Sequence, residues 1–392
     1  MAEKAKGNGA STGRKSGQSS ILTVLEEEGN RFVFRVAGID RSVVNALRRI
    51  ILSRIPCVVL RTEPHAASLC TVVVNTTQFH NEILKHRLSC VPVHTTDLDT
   101  LPGKCELEID EHNTTAETTW VTTEHFRIRD VATGTYWTPD KSRVLFPPDP
   151  KTLHFIDFVR LRGGEALKLR CGFVVSSADE NQAFNVVSKC AVTDTLDPHL
   201  AEQAFLRQQQ QQQQQQPSKE KHDFDRRNFF LLDALRYTIP GSFDFVVESV
   251  GVFPPRTLLQ KACALMQNEC VDVMENELPI VHVDGTMANA FDVLLPDEDA
   301  TLGYVLQSFV MDLAYEEGQE QKEGDEGEGD EGKRKPLHYV GFAKLHPNDQ
   351  DSRLRVAYRA ARVANKAHVA QVVKEAMRGA EHVFRELYHA FA

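Results

Sequence analysis

The sequence predicts an α+β fold in which two related half-units pair with each other, the first carrying an inserted β-rich domain. Amphipathic helices at 40–56 and 299–313 lie far apart in the chain, and each follows strand-like segments, which predicts the half-units. Short segments rich in β-branched residues, separated by turn residues, run from 95 to 192 and predict the inserted domain. Such a chain would be a pseudo-dimer within one polypeptide.

The helix at 40–56 combines an apolar stripe with a polar face. Asp40 or Ser42 can cap its first turn, and Pro56 ends it. The stripe, spaced as on one side of an α-helix, consists of Val43, Val44, Leu47, Ile50, Ile51 and Ile55. The polar face, which we expect to point away from the packed side, consists of Asn45, Arg48 and Arg49. A helix packed only on its own domain would show the same pattern.

The helix at 299–313 has the same character, with Asp299 as its N-cap. Two exposed apolar stripes are best removed from water by packing on each other. We therefore expect the two helices to form the contact between the half-units. The residues of this expected contact, called the helix seam below, are Val43, Val44, Leu47, Ile50, Ile51, Leu302, Val305, Leu306, Phe309 and Val310.

The other elements follow from residue periodicity and from helix and turn signals. A short helix at 81–92 is expected to turn Ile83, Leu84 and Leu88 inward. A proline pair opens a second helix, because the first helical turn does not need the missing N–H. Strands and long helices are predicted at 32–36, 57–62, 70–75, 242–250, 255–276 (helix), 279–283, 289–295, 338–345 and 354–358. A long C-terminal helix is predicted to carry one apolar stripe of Val369, Val373, Ala376, Ala380, Val383, Leu387 and Phe391.

These elements divide the chain into five parts. Residues 1–20 are expected to be a disordered tail, because they are Gly-, Ser- and Lys-rich without an apolar run. The first dimerisation unit is assigned to 21–62 and 227–276, and the inserted β-rich domain to 63–226, with a Gln-rich loop at 208–222. The second dimerisation unit is assigned to 277–392, with an acidic loop at 316–335.

Charge and cysteine usage exclude several kinds of protein. The formal net charge is −10, but residues 316–332 hold nine acids and one lysine and so contribute −8 of it. The nearly neutral remainder argues against a broad nucleic-acid surface, which needs clustered Lys and Arg. The eight cysteines form no C-x-x-C pair, so no metal site is expected. With no apolar run long enough to span a bilayer, we expect an intracellular protein with reduced thiols and no membrane partner.

Two motif-like segments do not support catalysis. Residues 327–333 fit G-x-G-x-x-G-K, but their three acids would repel a phosphate. Asp292 lies in an apolar strand without the neighbouring carboxylates that a two-metal site needs. We therefore predict no catalytic residue, no cofactor and no small-molecule substrate.

Residues 43–56 closely resemble the N-terminal helix motif of the alpha-type subunits of cellular RNA polymerase, including the archaeal D-type and eukaryotic third-subunit proteins. Segments 82–92, 243–251 and 255–276 resemble further elements of that family in the expected order. In the second unit, 299–303 and 340–347 resemble the small partner subunit, archaeal L-type or eukaryotic eleventh-subunit. Asp299 stands where members of that partner family commonly carry His.

The resemblance implies a fusion of both halves of a polymerase assembly heterodimer, which points to a large DNA virus as the source. It implies a non-catalytic scaffold that pairs its halves through the helix seam and binds large catalytic and small polymerase subunits, touching DNA only through the complex. The family's large-subunit contact would fall on Asn45, Arg48 and Arg49. Two alternatives stay open: a free-standing transcription adaptor that binds regulators, and a small hydrolase in the inserted domain.

Overall fold

The computed structural model describes residues 21–212, 219–283, 285, 287–315, 335–346, 348–349, 351–360 and 364–392. Its strands are β1 Leu22–Glu28, β2 Arg31–Ala37, β3 Cys57–Leu60, β4 Cys70–Asn75, β5 Cys105–His112, β6 Thr119–Thr122, β7 Arg127–Asp130, β8 Asp157–Leu161, β9 Ala166–Ser176, β10 Val187–Leu196, β11 Thr238–Ser249, β12 Ile280–Val283, β13 Ala290–Leu295, β14 Leu337–Ala343 and β15 Ser352–Tyr358. Its α-helices are α1 Arg41–Ser53, α2 Asn81–Ser89, α3 Pro139–Leu145, α4 Pro198–Gln212, α5 Lys219–Leu231, α6 Pro255–Glu275, α7 Ala300–Ala314 and α8 Lys366–Ala390.

The first antiparallel sheet has the strand order β1-β2-β11-β10. Alternate residues of β2 and β11 are buried, as period-two patterning requires of strands with one face on a core. Phe34 stacks on Phe245 of the neighbouring strand, with ring centroids 4.9 Å apart. Helix α1 follows β2, and helix α6 follows β11, so this sheet supports both helices.

The second sheet repeats this arrangement. Its order is β12-β13-β15-β14, all antiparallel, and α7 follows β13 while α8 follows β15. In both sheets the two central strands are therefore the ones that lead into helices. The two units therefore have the same succession of strands and helices and the same sheet order.

The two sheets share one hydrophobic core. Helix α1 contacts α7, and α6 contacts α8, so each helix pair joins one sheet to the other. The ring of Phe391, at the end of α8, lies edge-on to Phe34 of the first sheet at 5.3 Å. The buried residues of α1, α6, α7 and α8 all belong to a single cluster.

The segment between α1 and β10, called the central body below, has a hydrophobic core of its own. Strands β3, β9, β5 and β7 pair in that order, β4 pairs beside β3 on the same edge of β9, and β6 pairs with β8. Its buried side chains form a cluster separate from that of the helices and outer sheets. The strand-rich pattern in this part of the sequence is therefore matched by strands, with α2 and α3 added.

Several sequence assignments differ from the structure. Strand β10, assigned to the insertion, pairs with β11 of the first sheet, whereas β3, assigned to the first unit, pairs with β9. Strand pairing therefore gives boundaries different from 63–226. Helix α3 lies where only strands were expected. Ile83, expected to point inward, is 44% exposed, because α2 buries only the side of Leu84 and Leu88.

The Gln-rich loop predicted at 208–222 is helical wherever the structure describes it. Residues 208–212 continue helix α4, and 219–222 begin helix α5, which local turn signals did not predict. The two helices contact each other around a small cluster of Ala201, Phe205, Phe229 and Ala234. Residues 213–218, the tail at 1–20 and residues 316–334 of the acidic loop lie outside the described residues.

Candidate functional site

The helix seam lies in the shared core. Of its ten residues, nine are buried, and Phe309 is partly buried, with its ring 3.2 Å from the position a Cβ would take on Gly379 of α8. Leu47 and Leu306, one from each helix, are 1% and 0% exposed. Gly303 faces Phe342 so closely that a Cβ there would lie 2.1 Å from the ring, which explains the need for glycine on this face of α7. The apolar stripes of α1 and α7 thus lie in one buried cluster.

Arg49 links the two helices instead of pointing away from them. Its Nη2 donates to Asp299 Oδ2 at 2.7 Å, and its Nε donates to Thr301 Oγ1 at 2.8 Å. Asp299 also caps α7, accepting a hydrogen bond from the Thr301 backbone N–H at 2.7 Å. The expectation that Arg49 points away from the seam is therefore wrong. Helical spacing shows which residues of α1 lie off the apolar stripe. It does not show that the N-terminus of α7 lies next to one of them.

A second arginine completes a charged cluster at the same place. Arg54, the residue that ends α1, donates to Glu269 Oε1 of α6 at 2.6 Å and to Asp299 Oδ1 at 3.2 Å. Three helices therefore meet around two guanidinium groups. We call Arg49, Arg54, Glu269, Glu298 and Asp299 the junction cluster.

The pKa values of the three acids in the junction cluster are shifted in different directions. Although burial opposes it, hydrogen bonds from Thr301 hold the pKa of Asp299 below its ordinary value. Burial raises the pKa of Glu269 despite its pairing with Arg54. Burial, followed by the neighbouring Glu269 carboxylate, raises the pKa of Glu298 to about 7. Among the described residues, the buried Oε2 atoms of both glutamates have no hydrogen-bond partner, which agrees with the raised pKa of both carboxyl groups.

An open groove of about 700 Å³ lies on the other side of α1. Helix α1 forms one wall, β10 and Phe243 form a second, and the exposed side of α7 forms a third. Asn45 and Arg48 line it, and Arg48 is held by hydrogen bonds of 2.9 and 3.1 Å to Asn45 Oδ1. Across the groove, Tyr304 is 48% exposed. The groove thus combines two arginines, Arg41 and Arg48, three aspartates, side-chain amides and apolar surface.

The predicted contact residues are therefore divided between two places. Asn45 and Arg48 face the groove, whereas Arg49 faces the junction cluster. Near the groove entrance, Arg41 pairs with Asp194 at 2.8 Å and lies 5.7 Å from the ring of Phe243. Sequence reasoning missed Arg54, Glu269 and Glu298. Arg54 follows the last residue of α1, Glu269 lies within α6 and Glu298 precedes the N-cap of α7, and no sequence pattern links these three positions.

Within the described residues, neither a metal-binding group of side chains nor a membrane-spanning helix is found. Within them, no group of three or more His, Cys, Asp or Glu side chains is arranged to hold a metal ion. Asp292 is buried, and its carboxylate accepts hydrogen bonds from Arg355 at 2.7 and 2.8 Å and from Arg353 at 3.1 Å. In the part of the chain that the structure covers, every helix is too short or too polar to cross a membrane.

The model of the RNA polymerase Rpb3/Rpb11 dimerisation domain matches residues 33–270, more than half of the chain. The chain belongs to this family. The match begins in β2, continues across the central body and ends in α6, so it includes α1 and both strands that lead into helices of the first sheet. It ends before β12, where the second sheet begins.

The similar proteins are subunits of DNA-directed RNA polymerases. The chain is 27% identical to the polymerases I and III subunit rpac1 of Dictyostelium discoideum, over 38% of this chain and 45% of that protein. It is 24% identical to subunit Rpo3 of Methanosphaera stadtmanae, over 43% of this chain and 59% of that protein. It is 23% identical to the polymerases I and III subunit RPAC1 of Bos taurus, over 67% of this chain and 86% of that protein. The match thus spans about half the length of the first two relatives.

Proposed function

We propose that this chain is an assembly scaffold of a multisubunit DNA-directed RNA polymerase, without catalytic residues of its own. In this proposal the two paired half-units of a dimerisation platform are fused in one polypeptide. The observation that carries it is the burial of the α1 and α7 stripes in one core between two sheets of the same topology. The family membership of 33–270 supports the same proposal for the first half.

Fusion has a physical consequence for assembly. Each large apolar side chain moved from water into the seam contributes about 1.5–3 kcal/mol, so separate halves would expose a costly surface. A covalent link turns the pairing of the halves into an intramolecular step at an effective concentration of roughly millimolar or more. The platform then forms without matching the amounts of two subunits. The large DNA virus that such a fusion implies as the source stays a prediction.

The groove beside α1 is the surface we propose for a large catalytic subunit. Asn45 is exposed, and the Arg48 guanidinium lies within the groove, where its planar fork can pair with a carboxylate. Arg49 is assigned a different role, because its Nε and Nη2 donate to Thr301 and Asp299 of the second unit, whereas the same atoms of Arg48 donate to Asn45 of its own helix. We propose that Asn45 and Arg48 recruit the large subunit, while Arg49 aligns the two halves. Small polymerase subunits are expected on other surfaces of the same platform.

The test is affinity purification of the full chain from cells that produce the polymerase, followed by mass spectrometry. We expect the large catalytic subunits to co-purify in stoichiometric amounts. Recovery of regulators without large subunits would favour the adaptor alternative, and recovery of neither would count against a polymerase role.

Groove variants separate docking from folding. We expect Arg48→Ala with Asn45→Ala to fold normally and to recover much less large subunit. The matched control is Arg378→Ala, an exposed arginine on α8 away from the groove. Wild-type recovery of the large subunit by the groove variant would refute this contact, while leaving the scaffold role to be decided by the purification itself.

A further inference from the structure

Two cysteines face each other across neighbouring strands of the central body. Cys70 of β4 is the direct register partner of Cys171 in β9. The adjacent pair is hydrogen-bonded, since the Gly172 N–H donates to the Leu69 carbonyl at 3.1 Å. In antiparallel sheets the bonded and non-bonded pairs alternate, so the two cysteines occupy a non-hydrogen-bonded position. Cα atoms at such positions are about 4.5 Å apart, within the range that a disulfide bridges.

Among the described residues, which include all eight cysteines, no other two cysteines are register partners in a sheet. In their sheets, Cys57 faces Ser176, Cys105 faces Asp130 and Cys190 faces Val247. Cys263 and Cys270 are seven residues apart on α6, which separates them by about 10 Å along the helix. Cys90 is exposed and lies at the end of α2.

The surroundings of the pair favour reaction at one sulfur. A hydrogen bond from Cys171 holds the pKa of the Cys70 thiol below its ordinary value, and Lys85 of α2 acts in the same direction. The same hydrogen bond, followed by burial, raises the pKa of the Cys171 thiol. The Lys85 ammonium lies 3.5 Å from the hydroxyl of Ser68, which accepts the Cys70 backbone N–H. The two thiols therefore differ in their surroundings, with Cys171 the more buried of the two and Lys85 acting on both.

The pair lies next to a short exposed connection. Cys171 is fully buried and Cys70 is 5% exposed. The Cys171 sulfur lies 3.9 Å from the carbonyl oxygen of Arg61, where the connection between β3 and β4 begins, and Cys70 directly follows this connection. Residues 63–67 of the connection are exposed, and we expect local opening of this segment to admit a small oxidant without unfolding of the sheet.

We propose that Cys70 and Cys171 form a peroxide-reactive thiol pair that closes to an intramolecular disulfide between β4 and β9. The Cys70 thiolate attacks one oxygen of hydrogen peroxide, the O–O bond breaks, and Cys70 sulfenic acid and hydroxide form. The Cys171 sulfur then attacks the Cys70 sulfur. The S–O bond breaks, and the oxygen leaves as water with the proton released by Cys171. Two thiols are oxidised by two electrons, and one peroxide is reduced to water.

The product would stabilise the central body. The new bond closes a loop of about 100 residues, which restricts the unfolded chain more than a short loop does. We expect oxidation to raise the melting temperature of the protein by about 5–10 °C and a thiol reductant to reverse the change.

The experiment uses the full chain with Cys90→Ser, which removes the exposed thiol. The reduced protein is treated with hydrogen peroxide, its free thiols are alkylated, and its peptides are mapped without reduction. We expect a Cys70–Cys171 linked peptide, with Cys263 and Cys270 alkylated as the internal control. Cys70→Ser and Cys171→Ser should each lose the link and the reversible melting shift.

The peptide map of the parent protein decides the proposal even if either serine variant folds poorly. Cys70 and Cys171 recovered fully alkylated, after peroxide doses that modify Cys90 in the wild-type chain, would overturn it. So would a linked peptide in which Cys70 joins any other cysteine of the chain.

Discussion

Glu298 provides a test of the junction cluster, because its carboxyl group is partly buried beside Glu269. Its pKa is about 7 in the folded protein, against 4.5 for an ordinary glutamate. Below pH 4.5 the group is protonated in both folded and unfolded states and contributes nothing to the pH dependence. Between pH 4.5 and about 7 only the unfolded chain readily releases the proton, so stability falls as pH rises. Above about pH 7 the carboxyl group is ionised in both states, so the free energy of unfolding no longer changes with pH through Glu298.

The expected size follows from this shift. One pKa unit corresponds to about 1.4 kcal/mol, and part of the carboxyl group faces solvent, which reduces the effect to about 1–2 kcal/mol. Glu298→Gln keeps the shape and removes the charge. We therefore expect this variant to be about 1–2 kcal/mol more stable than the wild type at pH 8 and nearly equal to it at pH 5.

The assay is urea unfolding at pH 5, 6.5 and 8, followed by circular dichroism. Glu277→Gln, which changes an exposed glutamate between α6 and β12, is the matched control and should give the same small difference at every pH. A Glu298→Gln variant that is less stable than the wild type at pH 8 would refute the reasoning. It would mean that the charged form of Glu298 is stabilised by Arg54 more than it is penalised by burial.

Three further predictions concern the seam and the groove. Leu306→Ala should lower the free energy of unfolding by about 2–5 kcal/mol, because the side chain is fully buried, as measured by urea unfolding. Gly303→Ala should destabilise by about 1–3 kcal/mol through its clash with Phe342, and Phe342→Leu in the same chain should recover part of the loss. Arg49→Ala should lower the free energy of unfolding by about 1 kcal/mol, because it removes the hydrogen bonds to Asp299 and Thr301. Arg48→Ala should change it by less than about 0.5 kcal/mol. Equal losses of stability in the two variants would contradict their separate roles.

The sequence alone predicted the helices and most strands of the two outer sheets, but not β1, and it assigned the region of β10 to the insertion. The period of 3.6 in α1 and α7 and the alternation around Phe243 and Phe245 arise from burial of one face, which any chain must satisfy locally. The N-cap of α7 at Asp299 was equally readable, because a capping side chain bonds backbone only two residues away. The family resemblance rested on the same segments, and the family match at 33–270 confirms it for the first half.

Only the tertiary structure decided which strands pair and which charges meet. Strand β10 joins β11 rather than the sheet of β3, β9, β5 and β7 because pairing depends on contacts between distant segments, which residue periodicity does not encode. Arg49 lies off the apolar stripe of α1, yet it reaches Asp299 because α7 begins beside it. Cys70 and Cys171 are about 100 residues apart in the sequence, and they face each other because of the register between β4 and β9. Local patterns fix which face of an element is buried, whereas long-range packing fixes what covers it.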